Sequence, residues 1–440
     1  MARRDKDDRH EAIPATRSSR FARMARMAGG IAGGMIAEGG RQLRSGRRPT
    51  ARDLLLTPGN ARRVADQLAT MRGAAMKVGQ MLSMDTGDFL PRELADVLAR
   101  LREDARYMPP EQLHAVMCDV YGEEWESLFY RFEMKPIAAA SIGQVHRTLA
   151  PDGREIVLKL QYPGVAQSID SDVDNIASLL RLSGLMPPGL DIQPLLEDAK
   201  RQLHDEADYL KEAKYLQAFG EALADDERFV LPQVLPELTH RTALAMTWVD
   251  ASPIDTVADR PRVERDRVMS ALIELMLLEL FELRLVQTDP NFANYRYRPD
   301  TGEIVLLDFG ATRRFKAAFV NNYRKLAAAA VAGDDHRVAA AAQRLGYAIG
   351  EPGSVYRELM LDVFQLALEP LRTEGPYDFA GSNLAGRISQ LGEEITRYRE
   401  FWHTPPSDAV FFHRKLGGMF MLATRLEARV DVHGLLQRWL

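Results

Sequence analysis

The order of hydrophobic and polar positions predicts a chain that begins helical, becomes strand-like and then turns helical again. Residues 53–105 carry apolar side chains at three- and four-residue spacing, which is typical of amphipathic helices. Another short helix is expected at about 110–120. Between 137 and 160, apolar runs flank a Pro-Asp-Gly tripeptide at 151–153, and this pattern predicts a β-hairpin.

Beyond the hairpin, helical periodicity returns at about 165–183 and 192–222. The apolar run Thr242–Val249 predicts a buried strand. From about 262 onward the pattern is mostly helical, interrupted by a second hairpin within 287–310. These elements predict the α+β class.

The order of the elements favours a two-lobed protein-kinase-like fold with a helical N-terminal extension, a small strand-bearing N-lobe and a large helical C-lobe. We expect four segments: a basic Gly/Arg-rich leader over 1–52, the helical extension over 53–108, the N-lobe over 109–250 and the C-lobe over 251–440. A chain of 440 residues is long enough to form two or three substantial cores.

Cysteine usage and charge narrow the classes of protein. A single cysteine, Cys118, excludes an internal disulfide framework and fits a reducing cytoplasm. The leader holds 13 Lys/Arg against 5 Asp/Glu within an overall charge of −5. It is either a solvated segment or a contact for anionic lipid headgroups. The leader has one aromatic residue, Phe21, and the rest of the chain is acidic, which argues against nucleic acid as a partner.

Membrane spanning is not predicted. The uncharged run Met27–Ala37 has about half of the ~20 residues that a spanning helix needs. We expect a cytoplasmic protein, peripheral to the inner face of the membrane.

The strongest chemical pattern lies within residues 287–310. A D-x-x-x-x-N loop contains Asp289 and Asn294, and a D-F-G begins at Asp308, nineteen residues after Asp289. This spacing predicts a kinase-like phosphoryl-transfer centre. Asp289 would accept the proton of an attacking hydroxyl or orient a water. Asn294 and Asp308 offer the oxygen ligands that Mg²⁺ prefers.

A candidate nucleotide-binding loop lies upstream. The segment Ala138–Val145 overlays G-x-G-x-x-G-x-V, with Ala138 and Ala140 at the first two glycine positions and Gly143 and Val145 matching. Ser141 lies in the same loop. Alanine restricts φ, so this loop should be stiffer than a glycine-rich one and should hold phosphates differently.

Lys159 follows Gly143 by sixteen residues, on the second strand of the predicted hairpin. It is either a phosphate-pairing lysine or a strand-edge lysine that reaches solvent. In the first case a glutamate of the following long helix should pair with it. Glu206 and Glu212 are the candidates, although an acidic helix face is also commonly just solvated.

Several signatures in one order resemble the UbiB/ADCK family of atypical kinases, the AarF-like group, and especially its coenzyme Q-associated branch. The signatures are K-x-G-Q at 77–80, the alanine-rich loop, Lys159, E-x-D at 206–208, Glu212, QTDPN at 287–291, Asn294 and DFGATR at 308–313.

The resemblance implies specific roles. Lys159 would pair with Glu212, Asp289 would be catalytic, and Asn294 and Asp308 would bind Mg²⁺. Four further residues would gate the cleft, with Lys77 reaching towards Glu206 and Asp208 while Gln80 helps to seal it. The extension would cover the place where a kinase docks a protein substrate, which favours ATP hydrolysis or a small lipid-like acceptor.

The predicted function is therefore that of a Mg²⁺-dependent, ATP-binding atypical kinase or ATPase that supports coenzyme Q biosynthesis at the membrane. ATP or ADP, an anionic lipid or isoprenoid quinone precursor, and quinone-biosynthesis proteins are the expected partners. Two alternatives stay open: a nucleotide-sensing scaffold that organises such proteins, and a small-molecule phosphotransferase. Residues 316–440 carry no assignable signature beyond helical packing.

Overall fold

The computed structural model describes residues 107–182, 193–395 and 406–440, together with Ala74 and Tyr398. The basic leader and nearly all of the predicted extension, including Lys77 and Gln80, lie outside the described residues. The predictions made for them stay predictions.

The chain divides into two compact units. Among the described residues, one unit consists of 107–182, 193–214 and Gln233–Trp248, and the other of Tyr215–Pro232 and the described residues from Val249 onward. The four segments predicted from the sequence, with their boundaries, stay a prediction.

Helices and strands alternate in the first half of the described chain. In order they are α1 (Pro110–Tyr121), β1 (Arg131–Phe132), β2 (Ala138–Ala139), β3 (Gly143–Leu149), β4 (Glu155–Gln161), α2 (Val165–Leu182), α3 (Gln193–Glu206), α4 (Tyr209–Ala222), β5 (Phe229–Val230), β6 (Ala243–Thr247) and β7 (Ser252–Pro253).

Helices predominate in the second half, apart from short strands. In order they are α5 (Arg262–Leu278), β8 (Leu285–Gln287), β9 (Tyr295–Tyr297), β10 (Ile304–Leu306), β11 (Thr312–Arg314), α6 (Ala317–Val331), α7 (Asp335–Arg344), α8 (Val355–Ala367), α9 (Glu369–Arg372), β12 (Tyr377–Asp378), α10 (Leu384–Ile395), α11 (Ser407–Arg425), β13 (Arg429–Val430) and α12 (Val432–Leu436).

The first unit is built around an antiparallel sheet in the order β1-β3-β4-β6, with β2 also paired to β3. The predicted hairpin is confirmed as β3 and β4. Because side chains of a strand alternate between its two faces, Ile156, Leu158 and Leu160 join one hydrophobic core cluster, which also contains residues of α1. Lys159 and Gln161 therefore lie on the opposite face of β4.

The helix predicted over 192–222 is two helices, so that prediction was wrong in one respect. Helix α3 ends at Glu206 and α4 begins at Tyr209. Between them, the Asp208 carboxylate accepts a hydrogen bond from the Leu210 N–H at 3.2 Å. Aspartate favours such N-terminal positions because it satisfies a free backbone N–H, and here it starts a new helix. Glu206 and Glu212 thus belong to different helices.

The second unit contains a four-stranded sheet in the order β5-β10-β9-β7 and a separate pair, β8 and β11. The hairpin predicted within 287–310 is confirmed as the antiparallel strands β9 and β10. Helix α5 continues into a π-helical turn, Glu279–Leu283, which ends at Arg284 with φ 53°. Strand β8 follows directly and leads into the Asp289 loop.

Most of the remaining second unit is helical. Helix α11 is largely buried, including its charged residues Arg414 and Lys415. In the part of the chain that the structure describes, no helix has both the length and the apolar character needed to cross a membrane.

Candidate active site

Lys159 forms a buried ion pair with Glu212. Its Nζ lies 2.9 Å from both carboxylate oxygens, and the two side chains are only 10% and 3% exposed. The Tyr209 ring centroid is 5.1 Å from the same Nζ. Burying either charge alone would be costly, so the pairing accounts for both residues. The interpretation of Lys159 as a surface lysine is wrong.

The alanine-rich loop is the turn between β2 and β3. Ala138 pairs with Val145, and the Ala140 N–H donates to the Gly143 carbonyl at 2.8 Å, which places Ser141 in the turn. A Cβ at Gly143 would lie 2.2 Å from the Leu160 carbonyl oxygen. Glycine is therefore required here by the close approach of β4. The G-x-G-x-x-G-x-V pattern alone does not indicate this reason.

The E-x-D segment is connected to this loop and to β4. Ser141 Oγ donates to Glu206 Oε2 at 3.5 Å, the long limit of a hydrogen bond. The Gln161 amide donates to the Ala207 carbonyl at 2.8 Å. Asp208, besides beginning α4, lies 3.7 Å from Arg241. The predicted approach of Lys77 to this segment lies outside the described residues.

Two residues of this region, Gln161 and Tyr209, were not predicted as site residues from the sequence. Gln161 stands two positions after Lys159, and that spacing on a central strand places both on one face. Tyr209 follows E-x-D directly. The sequence alone could have indicated both residues. Gln161 is a polar residue in a largely apolar strand, and Tyr209 is an aromatic residue directly after the E-x-D signature.

In the second unit, Asp289, Asn294 and Asp308 gather at the open end of the β9–β10 hairpin. The Asn294 amide donates to Asp289 Oδ2 at 3.2 Å. The Leu307 N–H donates to the Asn294 carbonyl at 3.0 Å across the hairpin. Asp308 therefore follows directly after the residue that pairs with Asn294. The Gly310 N–H donates to Asp308 Oδ1 at 2.9 Å.

This donor set suits a magnesium ion that arrives with a nucleotide. Mg²⁺ commonly takes one or two carboxylate or amide oxygens from a protein and completes its octahedron with phosphates and water. Within residues 107–182, 193–395 and 406–440, no group of three or more His, Cys, Asp and Glu could hold a metal ion. With one amide oxygen and one carboxylate, Asn294 and Asp308 fit a magnesium site that phosphate oxygens and water complete.

The two signature segments of this unit, QTDPN at 287–291 and DFGATR at 308–313, are hydrogen-bonded to each other. Thr288 Oγ1 donates to the Ala311 carbonyl at 2.7 Å, and β8 pairs with β11 immediately beyond. The Phe309 ring packs against Phe219 of α4, with centroids 4.7 Å apart. The residues flanking Asp289 and Asp308 are thus held in a fixed relation.

A buried charge network behind the Asp289 loop was not predicted. Lys415 Nζ lies 3.0 Å from Glu279 Oε2 and 2.9 Å from the Tyr295 hydroxyl, and the side chains of the charged pair are 2% exposed. Burial raises the pKa of Glu279 to about 6, although Lys415 and the Gln287 N–H favour its charged form. Burial opposes the charge on Lys415, but Glu279 and Tyr295 outweigh it and raise the lysine pKa.

The chain is similar to known atypical kinases along most of its length. The model of the ABC1 atypical kinase-like domain matches residues 100–342. The chain is 37% identical to "Atypical kinase coq-8, mitochondrial" of Caenorhabditis elegans, over 96% of this chain and 57% of that protein. It is 37% identical to "Atypical kinase COQ8B, mitochondrial" of Rattus norvegicus, over 98% and 81%, and 35% identical to "Atypical kinase COQ8, mitochondrial" of Saccharomyces cerevisiae, over 95% and 83%.

A solved structure shares the fold. The protein Rv3197 of Mycobacterium tuberculosis, determined in complex with erythromycin, superposes with a TM-score of 0.59 at 23% identity. The match covers 86% of this chain and 96% of that one. At this level of identity the likeness concerns the fold alone.

Proposed function

The chain belongs to the ABC1 atypical kinase-like family, whose members are kinase- or ATPase-type enzymes, and we propose that it binds Mg²⁺-ATP and transfers or hydrolyses the γ-phosphate in support of ubiquinone biosynthesis. The observation that carries this proposal is the hydrogen-bonded pair Asp289–Asn294 with Asp308 beside it. The chain spans 57% of the nematode relative's length, so the whole activity of such relatives is part of the proposal.

Asp289 would act on the attacking oxygen. Its carboxylate accepts the proton of an acceptor hydroxyl or of water as that oxygen bonds to the γ-phosphorus and the bond to the ADP oxygen breaks. The Asn294 amide and the Asn291 N–H donate to its two carboxylate oxygens at 3.2 and 3.3 Å, and together they fix the orientation of the carboxylate. The side chain is half-buried, so a reacting group can reach it.

Asn294 and Asp308 would hold magnesium. When bound, the ion neutralises the developing charge on the phosphates. The hydrogen bond from Gly310 orients the Asp308 carboxylate beforehand, which lowers the cost of ordering it when a ligand arrives.

In the first unit, Lys159 would neutralise phosphate charge, and Glu212 would hold its ammonium in place. Ala138, Ala140, Ser141, Gly143 and Val145 would cover the phosphates. The alanine Cβ atoms and the short turn make this loop stiff. The gating roles of Lys77, Gln80, Glu206 and Asp208 belong to the same proposal, supported in the described residues by the Ser141–Glu206 contact.

We further propose that the protein is cytoplasmic and works at the inner face of the membrane, with water or a small lipid-like molecule as acceptor and quinone-biosynthesis proteins as partners. The basic leader and the family relationship motivate these points.

The test is phosphate release by the purified protein with Mg²⁺-ATP, with and without anionic liposomes. Asp308→Asn should abolish release, whereas the matched control Asp300→Asn should retain it, because Asp300 is exposed on the tip of the same hairpin. Nucleotide binding without release under any condition would instead favour the scaffold function. Release that survives in Asp308→Asn would contradict the assigned site.

A further inference from the structure

Helix α11 presents one face to both signature segments of the second unit. The contacting residues Asp408, Phe411, Lys415 and Gly418 follow each other at intervals of three and four, which places them on a single stripe of the helix. The helix lies beyond residue 342, where the match to the family domain ends.

The contact with the Asp289 loop depends on the absence of a side chain. A Cβ at Gly418 would lie 2.6 Å from Pro290 Cβ and 3.0 Å from Pro290 Cα. Real Cβ atoms essentially never come this close to such atoms, so a side chain at 418 would displace the backbone of Pro290. Pro290 is the neighbour of Asp289 in the chain.

Lys415, one turn earlier in the helix, is linked by polar contacts to both ends of the same loop. Its Nζ contacts the hydroxyl of Tyr295, which follows Asn294, at 2.9 Å. It also pairs with Glu279, whose carboxylate accepts the N–H of Gln287, two residues before Asp289. Because the pair is fully buried, water and salt compete little for these contacts.

The contact with the DFGATR segment lies at the start of the helix. Asp408 Oδ1 is 3.2 Å from the guanidinium of Arg313, on β11. The same guanidinium lies 3.9 Å from the Phe411 ring centroid. Helix α11 therefore holds the strand that follows Asp308 as well as the loop that carries Asp289.

We propose that α11 is the positioning element of the phosphoryl-transfer centre, with Gly418 and Lys415 setting the Asp289–Asn294 loop and Asp408 setting the segment after Asp308. These residues act through Pro290, Tyr295, Glu279 and Arg313, so we assign them as positioning residues, and the inference rests on the proposed function. Catalysis by positioning is sensitive to displacements of about 1 Å, which can cost 10²-fold in rate.

Two neighbouring glycines allow a matched test. Gly417→Ala and Gly418→Ala make the same chemical change in the same helix, but a Cβ at 417 meets nothing within 4 Å. We would measure kcat and KM for Mg²⁺-ATP, the dissociation constant of ADP, and backbone hydrogen exchange over residues 288–294 in both full-length variants.

Gly418→Ala should lower kcat about tenfold or more while ADP affinity changes less than about twofold, and should speed exchange over 288–294. Gly417→Ala should match the unmodified protein in all three. Equal kcat and equal exchange in the two variants would overturn the proposal. If the unmodified protein fails to turn over ATP, the proposed function fails separately, and the exchange comparison still decides whether α11 positions the loop.

Asp408→Asn provides a second variant that leaves the buried part of the helix intact. It should raise the Mg²⁺ concentration for half-maximal release about two- to fivefold, because the loss of one partly exposed ion pair frees the segment after Asp308. An unchanged Mg²⁺ dependence, with unchanged exchange over 309–314, would remove this contact from the proposal.

Discussion

Lys159 and Glu212, 53 residues apart in the chain, meet so that one ammonium group lies 2.9 Å from both oxygens of one carboxylate. Removing the charge of one partner takes this charge-assisted contact away from the other, which stays buried. Glu212→Gln should therefore lower the free energy of unfolding by about 3 kcal/mol and weaken nucleotide binding.

The double variant Lys159→Met with Glu212→Leu separates the two effects. It should recover most of the stability, since both charges of the pair are removed together, but not the nucleotide affinity. Asp205→Asn is the control, because it breaks the exposed Lys211–Asp205 pair near the same helices and should cost less than about 0.5 kcal/mol. Urea unfolding and nucleotide titration measure both quantities. A cost for Glu212→Gln no greater than the control would contradict the buried-pair account.

Gly143→Ala should destabilise the first unit by about 2–3 kcal/mol. The added Cβ would meet the Leu160 carbonyl oxygen at 2.2 Å, and this atom belongs to a central strand that cannot easily move. Gly220→Ala is the comparison, because nothing lies within 4 Å of its Cβ and alanine is the better helix former, which should stabilise by up to about 1 kcal/mol. Urea unfolding that moves both variants in the same direction would show the close approach to be irrelevant.

The Glu279–Lys415 pair should show strong energetic coupling. Lys415→Met alone leaves a buried carboxylate and should cost about 3–5 kcal/mol, whereas Glu279→Gln together with Lys415→Met should recover most of that loss. A double-mutant cycle in urea measures the coupling. The partly exposed pair Arg298–Glu303 in the same unit serves as the reference and should show less than about 1 kcal/mol. Additive effects at 279 and 415 would refute the network.

His146 should make the protein acid-sensitive. It is fully buried, its Nδ1–H donates to the Glu133 carbonyl at 2.8 Å, and burial lowers its pKa from 6.5 to about 4. The unfolded chain binds this proton near pH 6.5 and the folded protein does not, so the free energy of unfolding falls as the pH drops. The loss should reach about 2 kcal/mol by pH 5.

Thermal unfolding between pH 7.5 and 5 measures this dependence. His146→Gln should flatten the acid slope, whereas His336→Gln, at an exposed histidine, should leave it unchanged. Glu279 acts in the opposite sense between pH 4.5 and 6, because its raised pKa lets the folded protein bind the proton first. An acid slope unaffected by His146→Gln would exclude this histidine as its source.

Local patterns predicted the parts of the fold that depend on local physics. Alternating apolar runs around 151–153 were enough for the β3–β4 hairpin, and motif spacing placed Asp289, Asn294 and Asp308 at one hairpin end. The break between Glu206 and Tyr209 was missed because apolar periodicity runs through it, while the N-capping preference of Asp208 starts a second helix there.

Other features carried no local signal at all. Lys415 and Glu279 are 136 residues apart, and nothing in either neighbourhood announces the partner. The reason for glycine at 418 is likewise a contact with Pro290 that only the folded chain creates. Catalytic roles, ATP and magnesium follow from family and chemistry, and they stay predictions until they are measured.

The position of α11 late in the chain determines how a C-terminal deletion affects the protein. A deletion that removed everything after residue 342 would keep each recognisable signature and would look complete to any comparison based on motifs. It would nevertheless strip away Lys415 and leave the Glu279 carboxylate and the Tyr295 hydroxyl without the cation that they share. Nonsense mutations between residues 342 and 415 should therefore behave as loss-of-function alleles.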